Sequence, residues 1–158
     1  MTETALVWFR SDLRLHDNEA LVEAASADEL LPVYCFDPHW FGTAEYGGRE
    51  SFEFQKMGPY GTRFLRESIA DLRQSLRERG SDLLVRHGPS AEVVTEMAAA
   101  CDADWVSYHT YPAPEERDIE RETATALESA GVETSQFWGH TLYHRDDLPV
   151  DVGSINDT

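Results

Sequence analysis

Apolar positions fall along the chain in two alternating periods. Short runs rich in strand formers occur at 5–9, 30–36, 82–86, 103–109 and 132–138, and the first two are continuously apolar, the pattern of strands buried on both faces. Between them lie stretches with apolar residues three and four apart, which predict helices over 19–25, 62–79, 90–100 and 117–130. The clearest is 62–79, where Leu65, Ile69, Leu72 and Leu76 form one stripe and Gly80 follows as a stop. In 90–100, Val93, Val94 and Met97 are expected inward and Ser90 is expected to cap. Asp17 or Asn18 is the expected cap of the first helix, and Gly131 ends the last. Pro32 sits near the start of its strand, where a missing donor is tolerated.

Strand and helix in strict alternation predict a parallel sheet with helices on both faces. The expected fold is a Rossmann-like three-layer α/β/α sandwich with a five-stranded sheet of order 3-2-1-4-5. The order reverses between the first and fourth strands, so loops 10–18 and 110–116 should meet there. In open α/β sheets that crevice binds ligands.

One connection breaks the rhythm. Residues 37–61 carry His39, Trp40, Phe41, Tyr46, Phe52, Phe54 and Tyr60 among many glycines. Loops of this length are usually functional or self-packed. So many aromatics must cover something: the domain's own sheet edge, a partner domain, or a flat ligand.

The 158 residues suit one domain with a real core. Thirty acids against 13 bases leave a net charge of −17, and Lys56 is the only lysine. That composition is expected of a protein from a high-salt cytoplasm, and it argues against non-specific duplex binding by this domain. No apolar run is long enough for a membrane helix and no signal-peptide pattern opens the chain, so a cytoplasmic location is expected. Cys35 and Cys101 lack metal-type spacing and read as small buried hydrophobes.

No catalytic set emerges. Ser11, Asp12 and His16 are close in sequence, but the glycine-flanked serine elbow is missing. No glycine-rich dinucleotide or triphosphate loop follows the first strand. The six histidines are scattered, and no metal site is expected. Arg10, Asp12 and Arg14 read as an ion-pair network that fixes their loop. Glu115 and Glu116 open a helix, where the dipole favours negative charge. They also face the expected crevice, where a carboxylate can accept N–H bonds from a pterin-like or flavin-like ring.

The run Leu6-Val7-Trp8-Phe9-Arg10-Ser11-Asp12-Leu13-Arg14-Leu15-His16-Asp17-Asn18 resembles the opening signature of the photolyase/cryptochrome family. The resemblance continues through Phe36-Asp37-Pro38, Lys56-Met57-Gly58-Pro59, Phe64-Leu65-Arg66-Glu67-Ser68 and Glu115-Glu116-Arg117-Asp118. It ends in a block from Trp138 to Pro149 that is most similar to the cryptochrome DASH branch.

The resemblance implies that residues 1–138 are the family's antenna-binding α/β domain and that 139–158 begin an interdomain linker. The helical domain that holds FAD and the cyclobutane pyrimidine dimer is then a partner, in cis or as a separate chain, and DNA is met only through it. The implied cofactor is a methenyltetrahydrofolate-like antenna, or a deazaflavin or flavin nucleotide. Carried over by position, His39, Trp40, Phe41, Lys56, Gly58, Tyr60, Glu115 and Glu116 are the implied cofactor-binding residues. No residue here is implied to be catalytic, and the chain alone is expected not to split dimers. The alternative is a freestanding Rossmann-like module that binds a nucleotide or a protein and has no chromophore.

Overall fold

A computed structural model describes residues 2–46, 52–139, 141, 147 and 149. The stretch expected to begin the linker lies almost wholly outside them. Five parallel strands form the central sheet: β1 (Thr4–Phe9), β2 (Glu29–Phe36), β5 (Leu84–His87), β6 (Trp105–Thr110) and β7 (Glu133–Trp138), in the order β5-β2-β1-β6-β7. Numbered within this sheet alone, that is the expected 3-2-1-4-5. The order reverses at β1, whose Ala5 to Phe9 are almost wholly buried.

The pleat divides the core. Ala5, Val7 and Phe9 face one way, against Ala20 and Ala24 of α1 (Glu19–Ala24) and Ile69, Leu72 and Leu76 of α2 (Pro59–Arg77). Leu6 and Trp8 face the other way, against Val94 and Ala98 of α3 (Ser90–Ala100) and Leu127 of α4 (Pro114–Ser129). A strand with period two thus feeds two helical layers. Pro32 is tolerated in β2 because β5 joins that strand only from Val33 onward.

Several boundaries differ from expectation, each with a local cause. α2 and α4 start earlier because Pro59 and Pro114 occupy their first turns, where a missing N–H costs nothing. β5 begins late because Asp82 is held outside the sheet by Arg73 and Arg77. Asn18 does cap α1, its Oδ1 accepting from the Leu21 N–H at 2.9 Å. Ser90 is not a cap. It is the first residue of α3, and its N–H and hydroxyl both donate to Asp37, at 2.8 and 2.7 Å. Cys35 is buried as expected, and Cys101 is only partly so.

The described residues of the long connection carry regular structure. A short 3-10 turn (Pro38–Phe41) leads into a hairpin of β3 (Thr43–Tyr46) and β4 (Phe52–Gln55), paired antiparallel. Phe52 and Phe54 stay exposed on it. Among the described residues no helix is long and apolar enough to cross a membrane.

Candidate functional site

Where β1 and β2 end, the chain encloses a cavity of about 260 Å³. β1 and the residues after it contribute Trp8, Phe9, Arg10 and Ser11, and β2 contributes Tyr34 and Cys35. The connection after β2 supplies Trp40, Phe41 and Met57, and α2 adds Leu65. Ser90 of α3 and Glu116 and Ile119 of α4 complete the lining. The walls are therefore largely aromatic and aliphatic, with one carboxylate among them.

Asp37 sets the position of two of these walls. Its Oδ1 accepts from the His39 N–H at 2.9 Å, capping the 3-10 turn that carries Trp40 and Phe41. Its Oδ2 takes both Ser90 bonds at the start of α3. One buried carboxylate thus fixes the turn and the helix against each other.

At the crevice expected between β1 and β6 the loops do meet, with Ser11, Asp12 and Arg14 across from His109 and Tyr111, but its base is occupied. Arg10 fills it, its guanidinium 4.8 Å from the Trp8 ring centroid and 4.7 Å from that of Tyr111. It donates to the His109 carbonyl at 3.1 Å and pairs with Glu120 of α4. Glu120 also accepts from the Tyr111 N–H at 2.9 Å. The expected Arg10–Asp12–Arg14 network therefore breaks in two. Arg14 does reach Asp12 at 3.1 Å, and Asp12 lies 3.5 Å from His109, but Arg10 leaves the loop. The more enclosed space lies beside β1 and β2. On the β6 side lie two more open depressions, one lined by Asp12, Arg14 and His109 among others, and a wider one of about 770 Å³ that runs from Asn18 and Val22 to Phe137 and Trp138.

The anticipated site residues divide into three groups. Trp40, Phe41 and Glu116 line the cavity. His39, Lys56 and Glu115 meet at its rim, each one chain position from a lining residue. Lys56 Nζ donates to Glu115 Oε2 and to His39 Nε2, both at 2.8 Å. Because an ammonium can only donate, His39 Nε2 accepts, and its 3.3 Å approach to Glu115 is a close contact rather than a hydrogen bond. The bond from Lys56 holds the Glu115 carboxyl below the usual carboxylate range. The third group lies outside: Gly58 precedes α2 as its N-terminal cap position, and Tyr60 is 89% exposed.

Tyr34, Cys35 and Leu65 were not anticipated as lining residues, whereas Met57 falls within the 56–60 stretch expected along the cleft. The signal for the first two was available, since ligands in such sheets sit at strand C-termini and these residues end β2. Burial pushes the Cys35 thiol up to about 11, and the nearby Asp37 charge adds to the effect. Its Sγ donates to the Gly88 carbonyl at 3.1 Å. Burial likewise raises the Tyr34 hydroxyl well above its ordinary range.

The sequence model described as DNA photolyase matches residues 5–158. The chain is 48% identical over 157 residues to a cryptochrome DASH of Natronomonas pharaonis, covering 99% of this chain and 32% of that relative. It is 45% identical to a cryptochrome DASH of Gloeobacter violaceus, covering 98% and 30%. The crystal structure of a Synechocystis cryptochrome superposes with a TM-score of 0.86 at 37% identity, covering 99% of this chain and 31% of that one. The chain thus spans about a third of the length of these relatives.

Proposed function

The chain belongs to the DNA photolyase family as its N-terminal α/β domain, and we propose from that premise that it is the light-harvesting half of a photolyase or cryptochrome. The observation that carries this reading is the cavity beside β1 and β2, with flat aromatic walls and the single carboxylate of Glu116. Those residues fit a flat heteroaromatic ring, such as a folate pterin or a flavin. Trp40, Phe41 and Tyr34 offer faces for stacking, and Met57 offers a polarizable contact. Glu116 accepts N–H bonds and fixes the ring's orientation. Arg10, held by Glu120, keeps the floor of the cavity rigid and closes it toward β6.

When bound, such a ring absorbs blue or near-ultraviolet light and transfers the energy to reduced FAD. FAD, the pyrimidine dimer and DNA contact belong to the two thirds of the relatives' length that this chain does not span. The chain alone therefore binds an antenna and does not repair DNA, and it works in the cytoplasm.

The test is reconstitution. The purified chain is mixed with methenyltetrahydrofolate or flavin mononucleotide and passed over a desalting column. A visible band that co-elutes at one ring per chain supports the reading. No retained absorbance with either ring would favour a Rossmann-like module without chromophore. Illumination of the loaded chain with dimer-containing DNA should leave the dimers intact.

A further inference from the structure

We propose that Lys56 is the centre of an anion subsite at the cavity mouth, which Glu115 fills by itself and yields to the terminal phosphate or carboxylate on a ring ligand's tail. The ring comes from the reading above and the proposal deepens it, but the subsite is testable without any ring.

Lys56 is the only lysine among 30 acids and 12 arginines. It is also the most enclosed member of the rim cluster: its side chain is 14% exposed, against 50% for Glu115 and 41% for His39. An ammonium held that far from water needs an anion, and Glu115 supplies it. Glu115, however, stands half in solvent, so its release is inexpensive, because exposed ion pairs are worth little. An incoming phosphate or carboxylate would keep Lys56 satisfied while Glu115 turned to water. His39 Nε2 continues to accept from Lys56 and so aims the ammonium.

Two further observations place a ligand there. Met57, beside Lys56, and Glu116, beside Glu115, line the cavity, so a tail leaving the ring passes this cluster. The first turn of α4 also has no side-chain cap, and its dipole faces the same spot. Trp40 lies below the ammonium, with Nζ 5.7 Å from the ring centroid, linking the subsite to the aromatic wall.

The lone lysine makes the test clean. Protein labelled with ¹³C-lysine carries one ε-methylene signal, from Lys56. Inorganic pyrophosphate is titrated into the full chain at low chloride, with citrate as the carboxylate arm. A saturable shift is expected, at about fivefold lower concentration in Glu115→Gln, where the internal competitor is gone. No saturable shift with either anion, in the native chain or in Glu115→Gln, would overturn the proposal.

A second arm compares flavin mononucleotide with riboflavin, and folate with pteroic acid, by fluorescence quenching. The member with the more negative tail, the flavin phosphate or the folate glutamate, should bind about tenfold tighter in at least one pair. Lys56→Gln should abolish that preference without changing the affinity for riboflavin. Equal affinities within both pairs, or a preference that survives Lys56→Gln, would refute it. If no ring binds at all, the antenna reading fails, and the pyrophosphate titration still decides the subsite.

Discussion

Arg10 and Glu120 lie 110 positions apart in the chain and pair with their side chains 8% and 10% exposed. This pair ties the exit of β1 to the second turn of α4, one turn after Glu116. A buried pair of this kind adds little net stability over apolar residues of similar size, but losing one partner strands a charge. Glu120→Ala should therefore cost about 3–5 kcal/mol in urea unfolding. The double variant Arg10→Met/Glu120→Leu should recover most of that loss. A small loss for Glu120→Ala alone would show that water reaches Arg10.

Asp37 holds the 3-10 turn and α3 with its two oxygens separately. Asp37→Ala removes both attachments, and should cost about 2–3 kcal/mol, near the sum of two caps. Asp37→Asn keeps only one carbonyl oxygen and should fall between that variant and the native chain. Because Trp40 and Phe41 ride on the capped turn, Asp37→Ala should also weaken ring binding more than its stability loss alone predicts. Chemical denaturation and the reconstitution assay measure the two effects separately.

The Cys35 thiol offers a reporter of the cavity that it lines. With its pKa pushed up to about 11 by burial and then by Asp37, almost none of it is thiolate at pH 8. Disulfide exchange with Ellman's reagent should run about two orders of magnitude slower than for free cysteine. Reactivity should rise with pH up to that pKa, and a bound ring should slow it further. Cys101→Ser isolates the Cys35 signal. A fast phase in that variant at pH 8 would mean that the cavity opens readily.

Glu116 and Glu115 are adjacent, yet only the first lines the cavity. Glu116→Gln exchanges a charged acceptor for a neutral amide, and should weaken ring binding about tenfold. Its effect on stability should stay within about 0.5 kcal/mol, since none of the described hydrogen bonds to its carboxylate holds the fold together. Glu115→Gln should leave a neutral ring's affinity unchanged. Isothermal calorimetry with riboflavin distinguishes the two variants.

The sheet order could be read from the chain because short apolar runs and period-3.6 stretches alternate, and right-handed crossovers leave few ways to arrange them. The hairpin was less visible. Its strands are four residues each, and Phe52 and Phe54 alternate with Glu53 and Gln55 on a ribbon that stays exposed, so no buried face advertises it. Trp40, Phe41 and Glu116 were recoverable from residue type and topology. The partner of Arg10 was not, because a charge nearby in sequence, Asp12, offers an equally good local pair. That one choice by Arg10 fills the base of the β1–β6 seam and leaves the more enclosed cavity beside β1 and β2, which no local pattern encodes.

The net charge of −17 is a large repulsion for 158 residues, and it should make stability rise with salt. The exposed pairs Arg63–Glu67 and Arg121–Asp118 are weakened by the same screening, but each is worth too little to reverse the trend. Raising KCl from 0.1 to 2 M shortens the screening length from about 10 Å to below about 3 Å, so neighbouring surface acids no longer repel. The melting temperature should climb by about 5 °C or more. Salt can also strengthen apolar burial, so a charge-reduced control is needed. Glu92→Gln/Glu122→Gln/Glu128→Gln/Glu133→Gln removes four exposed acids. It should start with a higher melting temperature at 0.1 M and gain less by 2 M. Parallel salt curves for the two proteins would assign the effect to apolar burial instead, and a flat native curve would remove the case for a high-salt origin.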